Sequence, residues 1–66
     1  METIYRNTDD GIEARIMEGN DRFNYRVVVR DIDAEETITI RFCDDYSRCL
    51  EYAKKFFIDG YTTLGE

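Results

Sequence analysis

The chain has 66 residues, with 15 acidic and 9 basic side chains and a net charge of −6. We expect a chain of this length to form one domain, residues 1–66, with a core too small for a deep catalytic pocket. The negative charge argues against direct binding to nucleic acid or to an anionic membrane, since both contacts require positive charge. No apolar run is long enough to span a membrane and no secretory signal is evident, which predicts a cytoplasmic protein.

Four segments have the features of β-strands, at about residues 3–6, 12–18, 23–31 and 37–43. Apolar and polar residues alternate through the last three, and this period of two is typical of strands with one buried face. The segment 3–6 is short, so the sheet has four strands, or three strands plus a short edge strand. The pattern leaves open whether Ile4 or Tyr5 faces inward.

Turn residues between these segments predict antiparallel hairpins. Gly11 suits a turn that needs a positive φ between the first two strands. Gly19-Asn20 is a two-residue hairpin signal, and a turn centred on it pairs Ile16 with Phe23. The apolar residues of the second and third strands then face the same side of the sheet.

The third turn is centred on Asp33-Ala34, which pairs Val29 with Ile38. The predicted inward face of the last two strands consists of Phe23, Tyr25, Val27, Val29, Ile38, Ile40 and Phe42. The opposite face is predicted to carry Arg15, Arg26, Arg30 and Arg41 with Met17, Val28, Thr37 and Thr39. That face is a solvated surface or a docking surface, because arginine and methionine are enriched at protein contacts.

The period changes to that of a helix at about residues 45–58. One helical stripe is apolar and is formed by Tyr46, Cys49, Leu50, Ala53, Phe56 and Phe57. Asp44 or Asp45 is the expected N-cap, and Gly60 is placed to stop the helix. The predicted fold class is therefore α+β: a four-stranded antiparallel β-meander with one C-terminal α-helix packed on one face, followed by a tail at residues 60–66.

The residues that catalysis or metal binding requires are scarce. The chain has no histidine and two cysteines, which do not make a zinc site, and we expect Cys43 and Cys49 to be free thiols, one of them in the core. Asp31, Asp33 and Glu35 alternate like calcium ligands, but the glycine and glutamate that an EF-hand loop needs are missing. Adjacent carboxylates lie in polar turns, where burial does not shift a pKa. We expect no enzyme activity, no catalytic residue, no cofactor and no metal.

The meander brings acidic turns together at one pole. Its first and third turns lie at the same end, and the helix runs back towards that end. The candidate partner-binding residues at this pole are seven of the fifteen acids: Asp9, Asp10, Asp31, Asp33, Glu35, Glu36 and Asp59.

The hairpin strands at 26–31 and 37–43, the helix at 46–58 and the acidic turns together resemble a known group of proteins. They resemble the small acidic inhibitors made by bacteriophages, of which anti-CRISPR proteins are the largest group and inhibitors of host RNA polymerase another. The resemblance lies in size, charge and architecture, and no motif assigns a role to a residue. It implies a non-catalytic DNA mimic that binds a nucleic-acid-handling complex, such as a CRISPR effector, and blocks DNA or RNA binding. A phage-encoded protein of this kind acts in the host cell cytoplasm.

The alternative is a regulatory protein-binding module, such as an antitoxin or an accessory subunit, that docks through the arginine-bearing sheet face. The two hypotheses depend on different residues. An acidic inhibitor uses Asp33, Glu35 and Glu36 and loses its partner at high salt. A sheet-docking module uses Arg26, Arg30 and Arg41. The expected partner of the inhibitor is a protein with a basic, nucleic-acid-binding surface, and the chain itself is expected to be a monomer or a weak dimer.

Overall fold

The computed structural model describes residues 3–57 and 60–64 and shows a small α+β domain with one open antiparallel sheet and one helix. The strands are β1 Thr3–Asn7, β2 Ile12–Glu18, β3 Tyr25–Asp31, β4 Glu36–Cys43 and β5 Thr62–Leu64, and the helix is α1 Tyr46–Lys54. Their order in the sheet is β4-β3-β2-β1-β5. The α+β class and the four-stranded meander with a packed helix are confirmed, and within the described residues no helix is long and apolar enough to cross a membrane.

The segment predicted to be a tail contains a fifth strand. β5 lies against β1, where Tyr5 pairs with Thr63. Asn7 Nδ2 donates a hydrogen bond to the Gly60 carbonyl oxygen at 2.8 Å, and the Tyr61 ring meets the Tyr5 ring edge-on. The predicted tail at residues 60–66 did not include this strand, because a strand of three residues is too short to show a hydrophobic period.

The predicted β2–β3 register was also wrong. Ile16 pairs with Val27 rather than with Phe23, because the connection spans residues 19–24 instead of two residues. Asn20 N–H donates to the Phe23 carbonyl oxygen at 2.9 Å and closes this wider loop. A Cβ atom at Gly19 would overlap the same carbonyl oxygen, so the loop requires glycine there. Phe23 consequently lies outside the strand and is 37% exposed.

The β3–β4 register changes partway along the strands. Arg30 pairs with Thr37, as the predicted turn implies, but Val29 pairs with Thr39 rather than with Ile38. A β-bulge between Val29 and Arg30 causes this shift of one residue. Because side chains alternate along a strand, one residue of shift moves the rest of β4 to the opposite face of the sheet.

The core therefore differs from the predicted one in what β4 contributes. The buried hydrophobic residues are Tyr5, Ala14, Ile16, Val27, Val29, Cys43, Cys49, Ala53 and Phe57. Ile38 and Ile40 were expected in the core but are 46% and 53% exposed. The core positions of Val27 and of the helical stripe are confirmed, with Tyr25, Tyr46, Leu50 and Phe56 packed partly buried against them. Tyr5, not Ile4, is the residue of β1 that faces the core.

The helix is shorter than predicted. Its N-cap is Asp45, in extended backbone conformation, and its C-cap is Lys55. Phe56 N–H donates to the Ala53 carbonyl oxygen at 3.0 Å, a bond of the i to i+3 type that tightens the chain beyond the helix. Gly60 has a φ of +96° but lies past this point, and the predicted helix end at residue 58 lies outside the described residues.

Candidate functional site

The two acidic turns are in direct contact. Ile32 N–H, in the β3–β4 turn, donates a hydrogen bond to the Gly11 carbonyl oxygen of the β1–β2 turn at 2.8 Å. Gly11 has a φ of +70°, and a Cβ atom on it would lie 2.7 Å from Asp33 Oδ2. Glycine therefore favours this backbone conformation and leaves room for the Asp33 carboxylate to approach. The turns form one surface, which we call the acidic end and which consists of Asp9, Asp10, Asp31, Asp33, Glu35 and Glu36.

Hydrogen bonds within each turn fix the backbone of the acidic end. Asn7 Oδ1 accepts hydrogen bonds from the backbone N–H groups of Asp9 and Asp10, at 3.0 and 3.1 Å. Asp31 Oδ1 accepts one from Ala34 N–H at 3.0 Å. Asp31 thus has a structural role in its turn, whereas the other five side chains of the acidic end are exposed. Asp59, the seventh predicted residue, lies outside the described residues.

The sheet face away from α1 differs from the predicted one because of the shift in β4. Alternation and strand pairing place on it Ile4, Arg6, Glu13, Arg15, Met17, Arg26, Val28, Arg30, Thr37, Ile40 and Phe42, and we call this set the open face. Two predicted members were assigned wrongly, since Thr39 and Arg41 lie on the helix side. Thr39 Oγ1 is 3.2 Å from the Tyr52 hydroxyl, and the Arg41 guanidinium lies over the Tyr52 ring, 4.9 Å from its centre.

A buried carboxylate organises the middle of the open face. Glu13 is only 4% exposed, although it points away from the helix. It accepts hydrogen bonds from Arg15 Nε at 2.7 Å and from Arg6 Nε at 3.1 Å. Burial by itself raises the pKa of the Glu13 carboxyl, but the hydrogen bonds and charges of Arg15 and Arg6 outweigh it and hold this pKa below its ordinary value.

The open face becomes apolar towards β4. Val28 pairs with Ile40 and Arg26 pairs with Phe42, whose ring lies 6.1 Å from that of Phe23. The Nε of Arg26 is buried and has no hydrogen-bond partner among the described residues. A buried donor without an acceptor is costly, so this part of the face combines exposed apolar surface with unmet hydrogen-bonding capacity.

Both cysteines lie in the core. Cys43 and Cys49 are free thiols, as predicted, but both are buried rather than one. Burial, together with a hydrogen bond between the two thiols, raises the pKa of Cys49 to about 12. Because the thiolate is the reactive form of cysteine, this environment makes Cys49 a poor nucleophile.

Several features of these surfaces were beyond prediction from sequence. The burial of Glu13 depends on Arg6 in the neighbouring strand, and the exposure of Ile40 depends on the bulge. Among the described residues, no three side chains of the histidine, cysteine, aspartate or glutamate type converge as metal ligands would.

Comparison of the chain with protein-family models, with curated proteins and with solved structures finds no match. The assignment of the candidate surfaces therefore depends on their geometry alone.

Proposed function

We propose that this protein is a non-catalytic inhibitor whose acidic end binds the basic, nucleic-acid-binding surface of a protein complex. The observation that carries the proposal is the contact between the two acidic turns, through Ile32, Gly11 and Asp33. It presents carboxylates from two separate parts of the chain on a single surface. A CRISPR effector is the target class that the resemblance to phage inhibitors suggests.

The proposed mechanism is competition for cationic side chains. Proteins that hold nucleic acids present lysine and arginine to phosphates. The exposed carboxylates of Asp9, Asp33 and Glu35 offer those cations an alternative set of anions on a backbone that hydrogen bonds hold in place. A fixed arrangement loses little conformational entropy on binding. The net charge of −6 also speeds encounter with a basic surface, and salt weakens this attraction.

A capture experiment with a nucleic-acid competitor tests the proposal. The wild type is immobilised and exposed to bacterial lysate at low and moderate salt, beside the variant Asp9→Asn/Asp33→Asn/Glu35→Gln. The matched control, Glu18→Gln/Asp21→Asn/Glu51→Gln, removes the same charge from exposed positions away from the acidic end. We expect the wild type and the control to retain a nucleic-acid-binding complex that added oligonucleotide releases, and the acidic-end variant to lose it. Equal retention by all three proteins would refute the proposal.

A second candidate function is docking through the open face, as an accessory or regulatory module. The observation that favours it is the exposure of Ile40, 53%, beside Val28 and near the unpartnered Nε of Arg26. Apolar side chains next to arginine are typical of the centres of protein interfaces. In the same capture experiment, this function predicts that Ile40→Ser loses the partner whereas the acidic-end variant keeps it.

A further inference from the structure

β4 is a long strand at the edge of the sheet. It spans the eight residues Glu36–Cys43 and has a neighbour on one side only, β3, among the described residues. The other edge strand, β5, has only three residues. An edge strand has a row of backbone N–H and C=O groups that point outwards and can pair with another chain. β4 therefore offers a longer site for strand pairing than β5 does.

β4 also lacks most of the features that protect edge strands in monomeric proteins. It contains neither proline nor lysine, and it carries Ile38 and Ile40, two of the most exposed large hydrophobic side chains of the described residues. Its protective features are the bulge, which lies opposite Val29 and Arg30 in the first half of the strand, and Arg41, whose charged side chain points to the helix side. From Thr39 to Cys43 the pairing with β3 is regular, so this half presents an undistorted edge.

The charges around β4 determine which kind of strand can join it. Exposed acid pairs stand at both ends, Glu35 and Glu36 at the start of the strand and Asp44 and Asp45 just after it. Two copies paired antiparallel along their full length, centred on Ile40, would place Glu36 opposite Asp44 and Glu35 opposite Asp45. Like charges directly opposite each other are destabilising, and parallel pairing would stack identical acids. A second copy of this chain is therefore a poor match, and a strand with basic ends is a good one.

We propose that the free edge of β4 binds an extended segment of a partner protein as a sixth strand, with apolar residues in the middle of that segment and lysine or arginine at both ends. The apolar side chains of the partner segment that lie on the open face would contact Ile40 and Phe42. The groove on the other side, between β4 and α1, is lined by residues of both signs, including Arg41, Arg48 and Glu51, and so does not set the charge of the segment. The inference shares with the proposed function only the expectation of a basic partner, because it uses the strand edge and not the acidic end.

Synthetic peptides test this inference directly. The first probe is a peptide of about ten residues, enough to span β4, with alternating valine and threonine in the middle and two lysines at each end. The second has the same sequence with alternate backbone nitrogens methylated, which keeps the charge but removes the hydrogen bonds of strand pairing. The third replaces the lysines with glutamates. Binding is measured by fluorescence anisotropy, and the bound strand is located by amide hydrogen exchange.

We expect the lysine peptide to bind, to slow exchange of β4 amides, and to lose at least about tenfold in affinity on methylation or on exchange of lysine for glutamate. Ile40→Lys should weaken binding by a similar factor, whereas Thr62→Lys, which adds a lysine to the opposite edge strand, should not. Equal binding of the methylated peptide, or protection of amides elsewhere than β4, would overturn the inference. Retention of the complex by the acidic-end variant would refute the proposed function but would not alter these outcomes, so the two proposals are tested separately.

Discussion

The two faces of the sheet are built from the same strands but are buried in different ways. On the helix face, Ala14, Ile16, Val27 and Val29 are almost completely buried beneath α1. On the open face no helix covers the sheet in the part of the chain that the structure describes, yet Glu13 is buried to nearly the same degree, because Arg6 and Arg15 lie over it. Apolar packing excludes water on one face, and long charged side chains exclude it on the other. The two faces should therefore respond to different substitutions.

The largest effect should come from shortening an apolar side chain on the helix face. Ile16→Ala leaves a cavity at a position that is 1% exposed, and we expect it to lower the free energy of unfolding by about 2–5 kcal/mol. Ile40→Ala is the matched change on the open face, and it should cost less than about 0.5 kcal/mol because Ile40 is already half-exposed. Urea denaturation measures both. Similar losses at the two positions would show that β4 has the register predicted from sequence.

Neutralising the buried carboxylate should have the next largest effect. Glu13→Gln removes the charge that holds Arg6 and Arg15, and we expect a loss of about 1–3 kcal/mol at neutral pH. The pKa of Glu13 in the folded protein is below its ordinary value of 4.5. Ionised Glu13 thus stabilises the fold above that pH, and this contribution disappears as the pH falls through the folded-state pKa. The difference between wild type and variant should shrink on acidification, and a difference independent of pH would contradict the assigned role.

A hydrogen bond between two tyrosines predicts a smaller effect. The hydroxyls of Tyr5 in β1 and Tyr46 in α1 are 2.8 Å apart. Tyr46→Phe should lower the free energy of unfolding by about 1 kcal/mol, because it leaves the Tyr5 hydroxyl without this partner. Burial, followed by the hydrogen bond to Tyr46, raises the pKa of Tyr5 above its ordinary value of 10.0. Neutral Tyr5 therefore stabilises the fold below that pH, and stability is lost as the pH rises beyond it. The variant should lose less stability than wild type in alkaline urea titrations.

The smallest change in stability is expected at Arg26 on the open face. There, unlike at Ile16 on the helix face, we expect substitution to be neutral or stabilising. Its buried Nε has no partner among the described residues, so Arg26→Met should leave stability unchanged or raise it by up to about 1 kcal/mol. Thermal unfolding followed by circular dichroism measures this effect. A clear loss of stability would mean that the guanidinium contributes to the fold rather than to an external contact.

The parts of the fold that sequence predicted are those with a strong local period. Alternation along β2 located Ala14 and Ile16 correctly, and the helical stripe located Cys49 and Ala53. The β2–β3 register failed because Asn20 does not act in a two-residue turn. Its side-chain oxygen accepts hydrogen bonds from the N–H groups of Arg22 and Phe23, which stabilises a wider loop.

The β4 face could not be predicted because its local pattern favours the wrong answer. The alternation is that of core residues at Ile38, Ile40 and Phe42. The bulge instead turns Thr39 and Arg41 towards α1, where both contact Tyr52. That contact exists only after the helix has docked. The convergence of the acidic turns could be predicted from the meander alone. Predicting the burial of Glu13 would have required the register of β1 against β2, which the local pattern does not determine.

The pairing of β1 with β5 has a practical consequence for attaching this domain to a surface or to another protein. Ile4 lies directly opposite Leu64, so the chain enters and leaves the described structure at neighbouring positions. β1 runs from there towards Asn7 and the acidic end, and two strands separate it from β4. A tether joined to the chain beside Ile4 or Leu64 therefore leaves from the end of the sheet away from the acidic end and from the side away from β4. One such tether therefore orients the molecule for measurements at the acidic end and at the free edge of β4.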